Sequence, residues 1–268
     1  MSELFSDWRR PTIITSLNPG MLGYERLLKN LHPRVELVEV RLDGAWAASG
    51  GYTGKKQDLD RVENLLRQAG ELSQRPIAAT FRTEGGKEVA INAELYEHLV
   101  LRCSRHAAWV DVESNYPRMG TDPTVELSSQ QEEDNAKRVM KLSDQLHRHG
   151  AGIIMSRHSW QPGPETTAEV TQILLAQFAL GADVSKIACS PQTPAQLHNL
   201  RDAGRFIYLQ THRPTIVIGM GELGRPTRIA GPQEGNWGTF VTAGGPASAP
   251  GQLPLAEVVL RYPGQTQH

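Results

Sequence analysis

A single (β/α)8 barrel spanning residues 1–268 is the fold the sequence predicts, on three observations. The length of 268 residues suits a barrel of about 250 residues. Short β-branched runs alternate from end to end with amphipathic helical patterns, the rhythm of a parallel sheet built from βα units. No proline- or glycine-rich linker divides the chain, so one domain is expected.

The predicted strands are 11–16, 37–43, 77–82, 108–113, 152–156, 185–190, 215–220 and 237–242. Between them lie helix starts with a chemical signature. Ser129 with Glu132 reads as a capping box opening a helix with Val139, Met140, Leu142 and Leu146 on its apolar stripe and a stop at Gly150. Thr166 with Glu169 reads as another, leading to Val170, Ile173, Leu174 and Phe178 and ending at Gly181. Thr193 followed by Pro194 is a third start, with proline at the first helical position. Residues 221–236 hold prolines and glycines enough to predict a loop or a broken helix.

Composition narrows the function class. Hydrophobic residues at 39% and charged residues at 21% are ordinary for a globular protein, and 28 basic against 29 acidic side chains leave a net charge of -1. That balance offers no basic field for nucleic acid. No apolar run approaches membrane-spanning length, and Arg9-Arg10 near the start is not followed by a signal peptide's apolar core. Two cysteines, Cys103 and Cys189, without metal-ligand spacing, suggest free thiols in a reducing cytoplasm.

The chemistry is carried by charges placed on strands. Side chains alternate faces along a strand, so parity separates barrel-facing from helix-facing positions. In 37–43 the valines share one face while Glu39, Arg41 and Asp43 share the other. In 108–113 Val110 and Val112 oppose Asp111 and Glu113, and Thr80 turns with Arg82. The apolar faces must meet the helices, so the barrel interior collects these charges. Lys186 shares a face with Ala188, opposite Ile187 and Cys189, and can join that cluster beside a small neighbour. A lysine in an apolar strand either lays its stem on apolar surface with its head in water or serves as an amine nucleophile. Arginines close by favour the uncharged, nucleophilic form. His158 follows the apolar strand 152–156 and lies at its carboxyl end, where catalytic groups of such barrels gather.

Other signals argue for nothing catalytic. His147 and His149, two apart on a helix, project about 200° from each other and share no metal site. Gly219, Gly221 and Gly224 match the dinucleotide fingerprint GxGxxG, yet Arg225-Pro226-Thr227-Arg228 follows without helical apolar periodicity.

Seven stretches in this order resemble type I 3-dehydroquinate dehydratase, the cofactor-free Schiff-base lyase of the shikimate pathway. They are Glu39-Val40-Arg41, the run from Thr80 to Gly86, Val110 to Glu113, Met155 to His158, Gly181 to Ala188, Arg228 to Gly231, and Ser248 to Gln252. The resemblance implies that Lys186 forms an imine with the C3 ketone of 3-dehydroquinate and that His158 serves as general base and acid. It implies that Glu84 orients that histidine, that Arg228, Ser248 and Gln252 hold the substrate carboxylate, and that Glu39, Arg41 and Arg82 meet the ring hydroxyls. It further implies a homodimer, no cofactor and no metal. Glycines and prolines in 244–251 fit a closing lid, and 116–127 looks like an inserted surface loop beside the active-site end. From the residues alone two other readings stand beside this one: another lysine-dependent barrel such as an aldolase, and a non-catalytic sensor of a quinate-like acid.

Overall fold

A computed structural model describes residues 4–7, 9–46, 52–83, 91–119, 125–159 and 166–263. They form a nine-stranded parallel sheet wrapped by helices. Its strands are β1 (Thr12–Leu17), β2 (Leu37–Arg41), β3 (Ile77–Thr80), β4 (Trp109–Glu113), β5 (Gly152–Ser159), β6 (Val184–Cys189), β7 (Thr215–Gly219), β8 (Gly238–Thr242) and β9 (Leu253–Pro254). The first eight match the expected strands within a few residues. Each pairs with its sequence neighbour from β1 to β7, and β8 pairs with β1. β7 meets β8 without a ladder: Trp237 N donates to Thr215 O at 2.8 Å at the amino end, and β9 pairs with the edge of β8 that β1 leaves open. The (β/α)8 barrel is closed at this seam by single contacts rather than by a strand pair.

The helices that cover the sheet include α1 (Tyr24–Lys29), α2 (Asp43–Trp46), α3 (Lys56–Ser73), α4 (Ala93–Cys103), α5 (Ser129–Arg148), α6 (Thr167–Ala179), α7 (Pro194–Thr211), α8 (Arg225–Arg228) and α9 (Leu255–Arg261). Thr166 and Glu169 form the expected capping box of α6, and Thr193 caps α7 with Pro194 in its first turn. The box of α5 lies one residue earlier than expected: Ser128 accepts from Gln131 N, and the Gln131 side chain returns a bond to Ser128 N. Glutamine serves as well as glutamate in that position, so two overlapping signatures competed. Met140, expected on the apolar stripe, faces outward and is 39% exposed, while Val139, Leu142 and Leu146 are buried. Residues 221–236 form a broken helix, the four-residue α8 followed by a 3-10 turn at Pro232–Glu234.

Strand parity divides the core in two. Val38, Val40, Val110, Val112, Ile153, Met155 and Ile187 pack outward against the helices. Ile14, Leu37, Trp109, Ile154, Val184, Ile216 and Phe240 fill the barrel, with Phe5 edge-on to Trp109 at 5.0 Å between ring centroids. Each buried side chain of this size contributes on the order of 1.5–3 kcal/mol. The large rings fit because Gly152 leaves room: a Cβ there would lie 2.6 Å from the Trp109 ring. The amino half of the interior is therefore largely apolar and filled, with Thr12 accepting from Phe5 N at 3.1 Å, and the charged side chains gather in the carboxyl half.

The glycines of the fingerprint-like stretch have a packing role. A Cβ on Gly224 would lie 2.2 Å from the Gly219 carbonyl, and Thr227 Oγ1 bonds both Gly219 N and Gly224 O at 2.8 Å. The close approach makes a tight turn that delivers α8, too short for the helix a dinucleotide site needs. Tyr116 corrects the expectation that 116–127 is all surface. It is fully buried, stacked on Tyr96 at 5.3 Å, and Tyr96 accepts a hydrogen bond from Glu113 N at 2.9 Å. Residues 120–124 of that stretch lie outside the described residues.

Candidate active site

The inward positions at the carboxyl ends of the strands build a cavity of about 490 Å³, lined among others by Glu39, Arg41, Asp43, Arg82, His158, Lys186, Arg228 and Ser248. Glu39 and Lys186 lie on strands whose next inward residue toward the amino end is apolar, Leu37 and Val184. The polar layer rests on the filled core.

Glu39 is pinned from both neighbouring strands. Its carboxylate accepts from Thr80 Oγ1 on β3 at 2.9 Å and from Ser16 Oγ on β1. Arg41 meets Asp43 through two parallel bonds of 3.0 and 2.9 Å. Asp43, the first residue of α2 rather than the end of β2, also accepts from Arg82 N at 3.1 Å. Arg82 lies past the end of β3 and is nonetheless buried, 8% exposed. Its Nη1 donates to Glu113 Oε1 at 2.8 Å and Ser156 Oγ at 2.9 Å, and its Nη2 to Asp111 Oδ1 at 2.8 Å. Glu113 also accepts from the backbone N–H and the hydroxyl of Thr83.

Lys186 is 4% exposed and directed into the cavity. Its Nζ lies 3.0 Å from Asp111 Oδ2 and 4.5 Å from the centroid of the Phe240 ring. A buried ammonium needs such partners. The sequence suggested arginines as its neighbours; the direct neighbour is a carboxylate, with Arg82 on that carboxylate's other oxygen. Burial opposes ionisation of Asp111, but the charges of Arg82 and Lys186 outweigh it and hold the carboxyl below the usual carboxylate range.

His158 lies inside β5, whose pairing with β6 sets His158 beside Ala188 and Ser156 beside Lys186. Burial, with Arg82 and Lys186 close by, holds its imidazole well below the ordinary histidine range. It is a neutral base near neutral pH. Arg228 is 2% exposed and donates from Nη2 to Pro250 O at 2.8 Å. Its Nε is buried and has no hydrogen-bond partner, and no carboxylate pairs with it among the described residues. Burial pushes the guanidinium down to about 10. A desolvated cation with a donor to spare at a cavity wall is a receptor for an anion.

Ser248 lines the cavity, whereas Gln252 stands behind it, accepting from Ser248 N at 2.6 Å and Ser248 Oγ at 3.0 Å. The structure thus brings together Lys186, His158, Glu39, Arg41, Arg82, Arg228 and Ser248 in one cavity and leaves Gln252 as their support. Glu84 lies outside the described residues. Sequence reasoning assigned no role to Asp111, Ser156 or Phe240. Parity had placed Asp111 inside the barrel, but which carboxylate meets the lysine depends on the stagger between strands, which parity does not encode.

A model of the type I 3-dehydroquinase family matches residues 22–264. The 3-dehydroquinate dehydratase of Listeria welshimeri is 31% identical over 227 residues, covering 84% of this chain and 79% of that one. That of Lactiplantibacillus plantarum is 31% identical over 200 residues, covering 74% of this chain and 71% of its own. The solved 3-dehydroquinate dehydratase of Geobacillus kaustophilus is similar in fold, with a TM-score of 0.76 at 23% identity over 94% of this chain and 89% of that one.

Proposed function

The chain belongs to the type I 3-dehydroquinase family, and on that premise we propose that it dehydrates 3-dehydroquinate to 3-dehydroshikimate, with Lys186 forming the imine and His158 carrying the proton. The observation that supports this most is the shared cavity: an amine, a neutral imidazole and an arginine with no carboxylate partner among the described residues face one space of about 490 Å³. The relatives that match over most of their length are 3-dehydroquinate dehydratases.

The steps follow from the chemistry of these groups. The Lys186 amine adds to the C3 ketone, and loss of water gives an iminium that draws electrons from C2. His158 removes a C2 proton, and the resulting enamine expels the C1 hydroxyl, which leaves as water with the proton that His158 returns. Hydrolysis of the remaining iminium releases the enone and restores the lysine. The iminium supplies the electron sink, so these residues suffice for the reaction.

Arg228 is the receptor for the substrate carboxylate, joined by Ser248 on the loop 244–251. That loop runs from the end of β8 to β9, and Arg228 holds Pro250 O on it, so carboxylate binding and closure involve the same residue. Glu39, Arg41 and Arg82 face the ring hydroxyls. Residues 1–268 act as one catalytic domain, in the cytoplasm and as a homodimer.

Absorbance of the conjugated enone after addition of 3-dehydroquinate tests the activity. Lys186→Ala is expected to lower kcat roughly a thousandfold or more while the fold persists. Turnover near the wild-type rate in that variant would contradict the imine.

A further inference from the structure

Asp111 is 2% exposed and accepts hydrogen bonds from three side chains. Lys186 Nζ holds one oxygen at 3.0 Å, and the other accepts from Ser156 Oγ at 2.6 Å and Arg82 Nη2 at 2.8 Å. Three donors, Ser156 from β5, Lys186 from β6 and Arg82 from just beyond β3, leave the carboxylate no freedom to turn. Ser156 is itself held by Arg82 Nη1 at 2.9 Å, and that nitrogen also holds Glu113 at 2.8 Å. The lysine nitrogen is therefore referenced, through one carboxylate, to a set of buried groups on β4, β5 and β6 and to Arg82 just beyond β3.

We propose that Asp111 is the positioning residue for Lys186: the counter-ion that holds its nitrogen at one point of the cavity before substrate arrives and stays beside that nitrogen once it is an iminium. The proposal rests on the imine reading above and deepens it.

Charge conservation favours one fixed counter-ion. An ammonium and a ketone give an iminium and water: the nitrogen exchanges two N–H bonds for a double bond to carbon, and the ketone oxygen leaves as water with those two protons. The nitrogen carries one positive charge at the start and at the end. A carboxylate already in place neutralises both, so no charge has to be rebuilt in a buried site. The N–H that the iminium retains keeps a hydrogen bond to Asp111.

Between those states the amine must give up a proton to attack. Asp111, held anionic by Arg82 and Lys186, is too weak a base to keep it, whereas the neutral imidazole of His158 can take it and return it to the departing hydroxyl. The two residues divide the work, Asp111 fixing the nitrogen and His158 moving protons. The other charged groups around the lysine are Glu39 and Arg41 from β2, Asp43 from α2, Arg82 from beyond β3, with Glu113 bound to it, and Arg228 from α8; β7 and β8 present Ile218 and Phe240.

The test is the rate at which borohydride traps the 3-dehydroquinate adduct on Lys186 as a function of pH, read from the mass of the lysine-bearing peptide. Removing the negative charge favours the neutral amine, so the Asp111→Asn curve is expected to move to lower pH by about one unit or more. Its kcat is expected to fall at least about tenfold, because the iminium has lost its counter-ion. A carboxylate with a merely structural role would change stability and leave the curve in place, and an unmoved curve in the folded variant overturns the proposal. Should the asparagine variant fail to fold, Asp111→Glu keeps the charge and displaces it by one methylene. That variant is expected to hold the wild-type pH curve and KM with kcat about tenfold lower, and an undiminished kcat overturns the proposal. No Lys186 adduct in active wild-type enzyme would remove the imine reading and this one together, whereas an adduct with an unmoved Asp111→Asn curve removes only the positioning role.

Discussion

Arg228 carries its charge where water does not reach, and its spare donor has no partner among the described residues. Such a residue is costly to the free protein and useful only to a ligand. Arg228→Met is therefore expected to leave Tm no lower than in the wild type while raising KM about 100-fold, the worth of a charged hydrogen-bonded contact. A fall in Tm with unchanged KM, read from thermal melts and enone kinetics, would contradict this. His158 makes a second prediction. Its folded imidazole resists protonation, so as pH falls through the ordinary histidine range near about 6.5 the unfolded chain takes up a proton that the folded chain does not. Stability falls with falling pH, by up to about 1.4 kcal/mol per pH unit. His158→Gln, compared with wild type by urea unfolding from pH 7.5 to about 5, is expected to lose that share of the slope; equal slopes would contradict it. Both residues were legible as types in the right places. Their environments were not, because the missing partner of Arg228 and the neighbours of His158 are set by loops and by strand stagger.

At the scale of elements, period-two alternation was the strongest signal in the chain. Glu39, Arg41, Asp111, Glu113 and Lys186 lie on the faces that their apolar neighbours required, because a valine stripe can only meet the helices. Signals of one residue's reach were weaker. Ser128 and Ser129 are adjacent, and each stands three residues before a side chain able to complete a capping box; the structure uses Ser128 with Gln131. Ser128→Ala is expected to destabilise by about 1 kcal/mol and Ser129→Ala by a few tenths at most, with kcat unchanged in both. The reverse order in denaturant midpoints would contradict the observed cap. Gly219 and Gly224 matched a nucleotide-binding pattern for a local reason, the contact of two backbones in a turn, and only the short helix after them tells the two uses apart.

For the whole molecule, the alternation of strand and helix made the barrel legible, while its seam was hidden. β7 and β8 are sequence neighbours that the sequence gives no reason to keep apart, yet they meet through Trp237 N and Thr215 O while β9 occupies the free edge of β8. The loop 244–251 is thereby anchored in the sheet at both ends, and its Ser248 is set on the cavity that the inward charges of the other strands build. An apolar plug of Phe5, Trp109 and Phe240 closes the amino half below that cavity and makes the carboxyl half the place where a substrate can enter. The chemistry turns on one amine in this enclosure. Borohydride reduction of the enzyme with 3-dehydroquinate, followed by peptide mass mapping, tests it most directly. The predicted result is one covalent increment on the peptide carrying Lys186, absent when substrate is omitted; full turnover with no increment there, or an increment on another lysine, would contradict it.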